Sequence, residues 1–236
     1  MKLSILVLTY NSEKHISNCI DSVMKAKPKS SEIIIIDNNS TDNTIKILKK
    51  NTTKHKVIQN SRNLGFSAAI NLGIKRASGE YILLVNPDTV VSQTGINRLL
   101  ECSKQNDADI VGGKLLKRDN SVHGSFVRKP DLLTGIFDFT NLRKIIPQDF
   151  FHKKHYYLDG RFPDKAKEVD AVSGAFMLIR EKVFSQIGYF DEKFFMYLED
   201  IDFCIRAKQS GYKIVFCPNS SIFHEGGSSS ANRDKI

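Results

Sequence analysis

At 236 residues and 41% hydrophobic content, the chain can bury a sizeable core as one large α/β domain or two small ones. Its formal charge of +9 suits anionic company, whether a phosphate-bearing small molecule, a nucleic acid or an acidic membrane surface. Four dispersed cysteines without a C-x-x-C pair argue for a reduced cytosolic chain, the opening apolar run is too short for a signal sequence, and no later run is long enough to span a membrane.

In chain order, short β-rich runs alternate with helical patterns. LSILVL precedes a helix over 12–26, EIIIID one over 41–50, HKVIQN one over 66–77, and EYILLVN one over 92–105. Such alternation predicts a parallel, doubly wound sheet. The runs at 33–36 and 82–85 are apolar without alternation, as strands covered on both faces are. Ligands of these sheets bind beyond the carboxyl ends of the strands. There stand Thr9-Tyr10-Asn11, Asp37-Asn38-Asn39-Ser40, residues 60–65 and Asn86-Pro87-Asp88. Each group is also an ordinary set of turn and cap formers, with Ser40 or Thr41 capping a helix and Pro87 shaping a turn. Four such groups aimed at one crevice argue for a ligand site.

The alternation breaks over 114–167, where twelve Lys and Arg stand against six Asp and aromatic residues are interleaved. That composition fits stacking of single-stranded nucleic acid, an anionic lipid surface, a cover over the crevice or a solvated insertion with its own small core. Beyond it, VDAVSGAFMLIR reads as a strand interrupted by Ser173-Gly174-Ala175, whose small side chains let a ligand or backbone approach. The stretch MYLEDIDFCIRAKQSGY follows, with Glu199, Asp200 and Asp202 opening a helix, Ile201, Cys204, Ile205 and Lys208 at helical spacing, and Gly211 stopping it. By themselves the three carboxylates are an acidic first turn that complements exposed N–H groups and the helix dipole. The strand YKIVFCP then leads to His224. No repeat or linker sets off a second domain, so 1–236 reads as one.

Jointly these motifs resemble the inverting family-2 glycosyltransferases, in particular their bacterial rhamnosyltransferase-like branch. The resemblance spans nearly the whole chain and rests on Thr9-Tyr10-Asn11, the run from Asp37 to Asp42, NSRNLGFSAAINLGI from Asn60, Asn86-Pro87-Asp88, Ser173-Gly174-Ala175, the run from Gly188 to Tyr212, and His224. It implies the type-A nucleotide-sugar fold: a Rossmann-like, doubly wound α/β architecture with a mostly parallel central sheet and helices on both faces. Residues 1–113 would be its nucleotide-sugar-binding half, 114–167 a basic and aromatic insertion, and 168–236 its acceptor and catalytic half.

The implied reaction moves a sugar from a pyrimidine nucleoside diphosphate, dTDP-rhamnose first and a UDP-hexose next, to a hydroxyl of a glycan or lipid-linked glycan in cell-surface polysaccharide synthesis. By the same resemblance Thr9, Asn11, Asp37, Asn39, Arg62, Asn63, Gly65, Asn86 and Gly174 bind the nucleotide-sugar, Asp37 accepting a hydrogen bond from the pyrimidine N3–H. Asp88 and His224 would hold Mg2+ or Mn2+ against the diphosphate, hard oxygen ligands suiting either ion. The first acid of the family's D-x-D motif is replaced here by Asn86, which retains an amide oxygen. Asp200 would be the general base, Glu199 would bind acceptor hydroxyls or orient Asp200, and Asp202 would serve the helix as a cap or salt-bridge partner.

The resemblance further implies a cytoplasmic enzyme, with peripheral contact at an anionic membrane face and no nucleic-acid partner. Relatives of this type continue past the SSSANRDKI tail, so the chain reads as truncated there. Two competitors stand beside this reading. A sugar nucleotidyltransferase would place a Gly-rich phosphate loop after the first strand, where TYNSEKH has none. A non-catalytic carbohydrate- or nucleotide-binding protein of the same fold would accommodate Asn86.

Overall fold

The computed structural model of the protein describes residues 2–50, 55–122, 124–129 and 163–224. Most of the basic insertion and the tail after His224 lie outside these residues, and so does any test of the roles suggested for them. The elements are β1 (Leu3–Thr9), α1 (Ile16–Ala26), β2 (Ser31–Asp37), α2 (Thr44–Lys49), β3 (Lys56–Gln59), α3 (Phe66–Ile74), β4 (Tyr81–Val85), β5 (Thr89–Val91), α4 (Gly95–Gln105) and β6 (Ile110–Leu116), followed by β7 (Phe126–Val127), β8 (Lys167–Glu168), β9 (Ala171–Val172), β10 (Phe176–Arg180), α5 (Glu181–Ile187), α6 (Glu199–Gln209) and β11 (Ile214–His224).

The central sheet runs β3-β2-β1-β4-β10-β6-β11-β5, with β8 added beside β11. β1, β2, β3 and β4 pair in parallel, as do β6 and β11. β10 is antiparallel to both neighbours, β4 and β6, and β5 and β8 are antiparallel to β11. The sheet is therefore mixed and mostly parallel, as the resemblance implied, with β10 as the reversed strand at its middle. VDAVSGAFMLIR is two strands rather than one: β9 pairs with β7 in a small separate sheet, and β10 enters the main sheet.

Side chains alternate strictly between two cores. Leu3, Ile5 and Val7 of β1, Ile33 and Ile35 of β2, and Leu83 and Val85 of β4 pack on one face with α1 and α4. Leu6, Ile34, Ile36, Ile82 and Leu84 pack on the other with α3, α5 and α6. Burial on both faces is why these strands read as unbroken apolar runs. Two glycines hide β6 from such a reading, and both are required by packing. A Cβ on Gly112 would lie 2.4 Å from the Val172 Cβ, and one on Gly113 would lie 2.5 Å from the Phe176 ring.

α6 ends as expected, with Gly211 at φ 83°, Gly211 N–H bonded to the Lys208 carbonyl and Tyr212 N–H bonded to the Ala207 carbonyl. The α2 cap differs from expectation: Asp42, rather than Ser40 or Thr41, accepts from the Thr44 N–H at 3.0 Å.

Candidate active site

A cavity of about 300 Å3 opens at the carboxyl ends of the strands, where the loops after β1, β2 and β4 meet the 173–175 turn, the loop before α6 and the end of β11. Polar side chains knit its rim. Asn11, at φ 49°, accepts from the Thr41 N–H at 2.8 Å and donates its own N–H to Ser40 Oγ at 2.9 Å. Buried Asn38 uses both ends of its amide: Oδ1 accepts from Asn60 Nδ2 and the Leu64 N–H, while Nδ2 donates to Asn63 Oδ1 and the Gly65 carbonyl. Because every one of these groups finds a partner, the two loops behave as one rigid wall.

The opposite wall is the loop from Gly188 to Leu198, and it is pinned to α3 at two points. Buried Asn71 donates from Nδ2 to the Phe190 carbonyl at 2.9 Å and to Glu192 at 3.0 Å, and accepts from the Phe190 N–H at 3.2 Å. The Phe66 N–H reaches the Phe195 carbonyl at 2.6 Å. Gly65, at φ 80°, permits that approach, since a Cβ there would stand 2.5 Å from the Phe195 carbonyl oxygen. Between these pins and α6 the chain is strained: Tyr197 and Leu198 both take left-handed conformations, at φ 71° and 69°. The segment holds its side chains outward, leaving Phe195, Met196, Tyr197 and Leu198 between 36% and 54% exposed.

Glu199 and Asp200 follow at the base of the cavity. Each Asp200 oxygen accepts one backbone N–H at 2.9 Å, Oδ2 from Gly174 and Oδ1 from Ile201. A carboxylate oxygen has two acceptor sites, so one on each remains for a substrate. Burial pushes the Asp200 pKa above its ordinary 3.8, although those two N–H groups pull it down. Glu199 is 7% exposed, and its Oε2 has no partner among the described residues. Burial first, and the Asp200 charge second, push its pKa from 4.5 to about 7. Asp202 turns away, bonding Arg206 at 2.8 Å, while Arg206 also holds the Ile187 and Tyr189 carbonyls.

The Glu199 shift carries a pH dependence. The folded chain keeps a proton on Glu199 that the unfolded chain releases above about 4.5, so stability falls as pH rises from about 4.5 to about 7 and levels off beyond it. The size of the shift makes this loss on the order of 3 kcal/mol. Glu199→Gln should flatten that part of a melting-temperature profile, and parallel profiles for the two proteins would disprove the assignment.

Asp88, in the loop between β4 and β5, and His224, at the end of β11, are brought together, with Asp88 Oδ1 3.2 Å from His224 Nε2. His224 borders the cavity; Asp88 stands just behind it. The described residues contain no cluster of three or more His, Cys, Asp or Glu side chains that could hold a metal ion. One carboxylate and one imidazole suit Mg2+ or Mn2+ only when substrate phosphate oxygens complete the ion's coordination, as such ions commonly are held. The Asn86 side chain borders the same cavity, and its backbone carbonyl accepts from Thr89 Oγ1 at 2.8 Å.

Of the other residues expected at the site, Asn11, Asn63, Gly65 and Gly174 border the cavity, whereas Thr9, Asp37, Asn39 and Arg62 do not. Thr9 and Asp37 are neighbours in register at the ends of β1 and β2 and are fully buried. Asp37 Oδ2 accepts from the Ser40 N–H at 3.0 Å, while its Oδ1 and Thr9 Oγ1 have no partner among the described residues. Asn39 supplies a left-handed turn at φ 67°, and Arg62 is exposed. Not singled out from sequence as site residues were His15, Asn38, Phe66 and the 195–197 segment, all of which border the cavity. A run of five consecutive large apolar residues, Phe194 to Leu198, before an acidic helix start was the one available signal for the last of these.

Comparison with known proteins places this geometry among relatives. The family model described as glycosyl transferase family 2 matches residues 4–188. An N-acetylglucosaminyl-diphospho-decaprenol L-rhamnosyltransferase of Mycobacterium tuberculosis is 26% identical over 234 residues, covering 94% of this chain and 75% of the relative. Among solved structures, S. aureus TarS superposes with a TM-score of 0.67 at 23% identity, covering 95% of this chain and 36% of that one. GalNAc-T7, solved with UDP, GalNAc and Mn2+, superposes with a TM-score of 0.70 at 17% identity, covering 95% of this chain and 44% of that one. At those identities the two structures establish the shared fold.

Proposed function

Because the chain belongs to glycosyl transferase family 2, we propose that it transfers a sugar from a pyrimidine nucleoside diphosphate, dTDP-rhamnose first and a UDP-hexose next, to a hydroxyl of a glycan or lipid-linked glycan. The observation that carries this reading is the Glu199-Asp200 pair facing the strand-end loops across a cavity of about 300 Å3. Inversion is a single in-line displacement. Asp200, held by two backbone N–H groups with acceptor sites to spare, takes the proton of the attacking hydroxyl. Glu199 orients that hydroxyl through Oε2, which has no partner among the described residues. Asp37, with one buried carboxylate oxygen that has no donor among the described residues, suits the N3–H of uracil or thymine, since buried polar atoms are rarely left unpaired.

Metal dependence belongs to the same proposal. No Lys or Arg borders the cavity among the described residues, while Glu199 and Asp200 do and Asp88 stands close by. A diphosphate meeting these carboxylates would be repelled unless a cation intervened, and Asp88 with His224 are the residues that would hold it. A bound divalent ion would supply neutralisation of charge developing on the departing diphosphate.

The rhamnosyltransferase-like, lipid-linked branch draws support from two facts. The mycobacterial relative is by name a rhamnosyltransferase whose acceptor carries a decaprenol. Here the exposed Phe195 to Leu198 segment lies at the cavity's mouth, where an apolar chain attached to an acceptor would be received. Peripheral contact with an anionic membrane face, and a cytoplasmic location, are parts of this proposal; no described helix is long and apolar enough to cross a membrane.

Binding and turnover test the reading together. In the presence of Mn2+, dTDP and UDP should raise the melting temperature more than ADP and GDP, because a ligand bound only by the folded state stabilises it. With dTDP-rhamnose or UDP-hexoses, release of nucleoside diphosphate should depend on a polyprenyl-diphosphate sugar acceptor. Equal shifts with purine nucleotides would refute the base assignment, and binding without acceptor-dependent release would favour a non-catalytic binding protein.

A further inference from the structure

Away from the active site, a second cavity of about 340 Å3 lies between α4 and β11. Cys102 of α4 and Cys217 of β11 border it together, 5% and 4% exposed, with Arg98 and Asn219 at its edge. Both cysteines thus face one space, each bearing on the other's titration. The strand is built to serve that sulfur. Between Cys217 and Ser221, β11 slips its register against β6, and in this bulge the backbone N–H groups of Asn219 and Ser220 turn toward Cys217. When protonated, Cys217 donates weakly to the Arg98 carbonyl at 3.8 Å. The charged groups that border the cavity with the pair are Arg98 and Glu101 on α4.

We propose that Cys217 and Cys102 form an oxidant-responsive dithiol in which Cys217 reacts with a peroxide and Cys102 closes a disulfide onto it. In the first step the Cys217 thiolate attacks one peroxide oxygen, the S–O bond forms, the O–O bond breaks and hydroxide leaves. The sulfur is oxidised to a sulfenic acid as the peroxide is reduced. In the second step the Cys102 sulfur attacks the Cys217 sulfur, S–S forms as S–O breaks, and the hydroxyl departs with the Cys102 proton as water. Two thiols and one peroxide thus become one disulfide and two waters. The product would bolt α4 to the strand whose far end carries His224.

Chemistry separates this pair from the chain's other two cysteines. The Cys102 side chain first, then the bulge N–H groups and Arg98, hold the Cys217 thiol below its ordinary pKa against the opposing effect of burial. Burial pushes Cys19 and Cys204 up to about 12, and neither borders this cavity or the active-site cavity. The thiolate is the reacting species, so selectivity should follow this order.

The test uses the wild-type protein, folded and fully reduced, exposed to an equivalent of hydrogen peroxide and then alkylated and mapped by mass spectrometry. The expected result is loss of two hydrogens from the intact mass and a peptide joining Cys102 to Cys217, reversed by a thiol reductant. Without peroxide, iodoacetamide at neutral pH should label Cys217 at least about tenfold faster than Cys19 or Cys204. In Cys102→Ser, dimedone should trap a sulfenic acid at Cys217; in Cys217→Ser, neither the disulfide nor the adduct should form. Oxidation spread evenly over the four cysteines, a disulfide involving Cys19 or Cys204, or four intact thiols after treatment would each overturn the proposal.

Discussion

Asp200→Asn should lower turnover by about 10²–10⁴-fold while nucleotide affinity is retained, the range expected when a positioned general base is lost. The substitution is nearly isosteric but not silent in the fold. An asparagine oxygen can accept from only one of the Gly174 and Ile201 N–H groups, and its amide then faces the other donor. An unpaired buried group of this kind costs about 1–3 kcal/mol, enough to lower the melting temperature yet far too little to explain a lost reaction if the protein stays folded. Asp202→Asn supplies the comparison, since it changes the same acidic turn by the same charge. It loosens only the Arg206 pair, part-exposed and worth about 0.5 kcal/mol, while Arg206 keeps its two carbonyl partners. Turnover above about a tenth of wild type in Asp200→Asn lies outside the range for a lost base and would sink the assignment. So would an inactive Asp202→Asn.

Asp88→Ala should abolish the Mn2+-dependent part of turnover, a loss of about 10²-fold or more, because cation stabilisation of a leaving diphosphate is worth several kcal/mol. A second readout separates binding from chemistry. Paramagnetic resonance of Mn2+ titrated against the protein with UDP should show bound ion in the wild type and markedly weaker binding in Asp88→Ala and His224→Ala. The pairing of Asp88 Oδ1 with His224 Nε2 at 3.2 Å means that either substitution also removes its neighbour's partner, so both variants should weaken binding alike. Undiminished Mn2+ binding in both would move the cation site to other residues.

How far sequence reaches into this molecule depends on what burial leaves visible. β1, β2 and β4 were legible because strands packed on both faces are apolar through most of their length, and their runs announce themselves. β10 was legible as apolar, but its direction was not: Phe176 to Arg180 would pack equally well running either way, and only the sheet decides. β6 was missed because its center is Gly112-Gly113, a pair that looks like a turn until Val172 and Phe176 are seen lying against it. At the site, Asp200 and Gly174 were found from separate stretches, whereas the hydrogen bond that joins them belongs to tertiary structure. Asn38 looked like one more turn residue among Asp37, Asn39 and Ser40. Its four bonds to the 60–65 loop distinguish it, and these depend on a crossover that local sequence does not encode.

The reversed strand at the middle of the sheet also bears on how the chain is made. β3, β2, β1 and β4 all come from the first 85 residues, so this block can assemble once Val85 has emerged from the ribosome. β4 and β6, however, are each bound to β10, which is synthesised well after both. Until Phe176 to Arg180 emerge, one edge of β4 stays open, with Leu83, Leu84 and Val85 beside it and no hydrogen-bonding partner from its own chain. An apolar, unpaired edge is the feature by which sheets adhere to one another. For this protein that edge stays open from the translation of β4 to that of β10, and a chaperone acting in this interval would protect yield without altering the final fold.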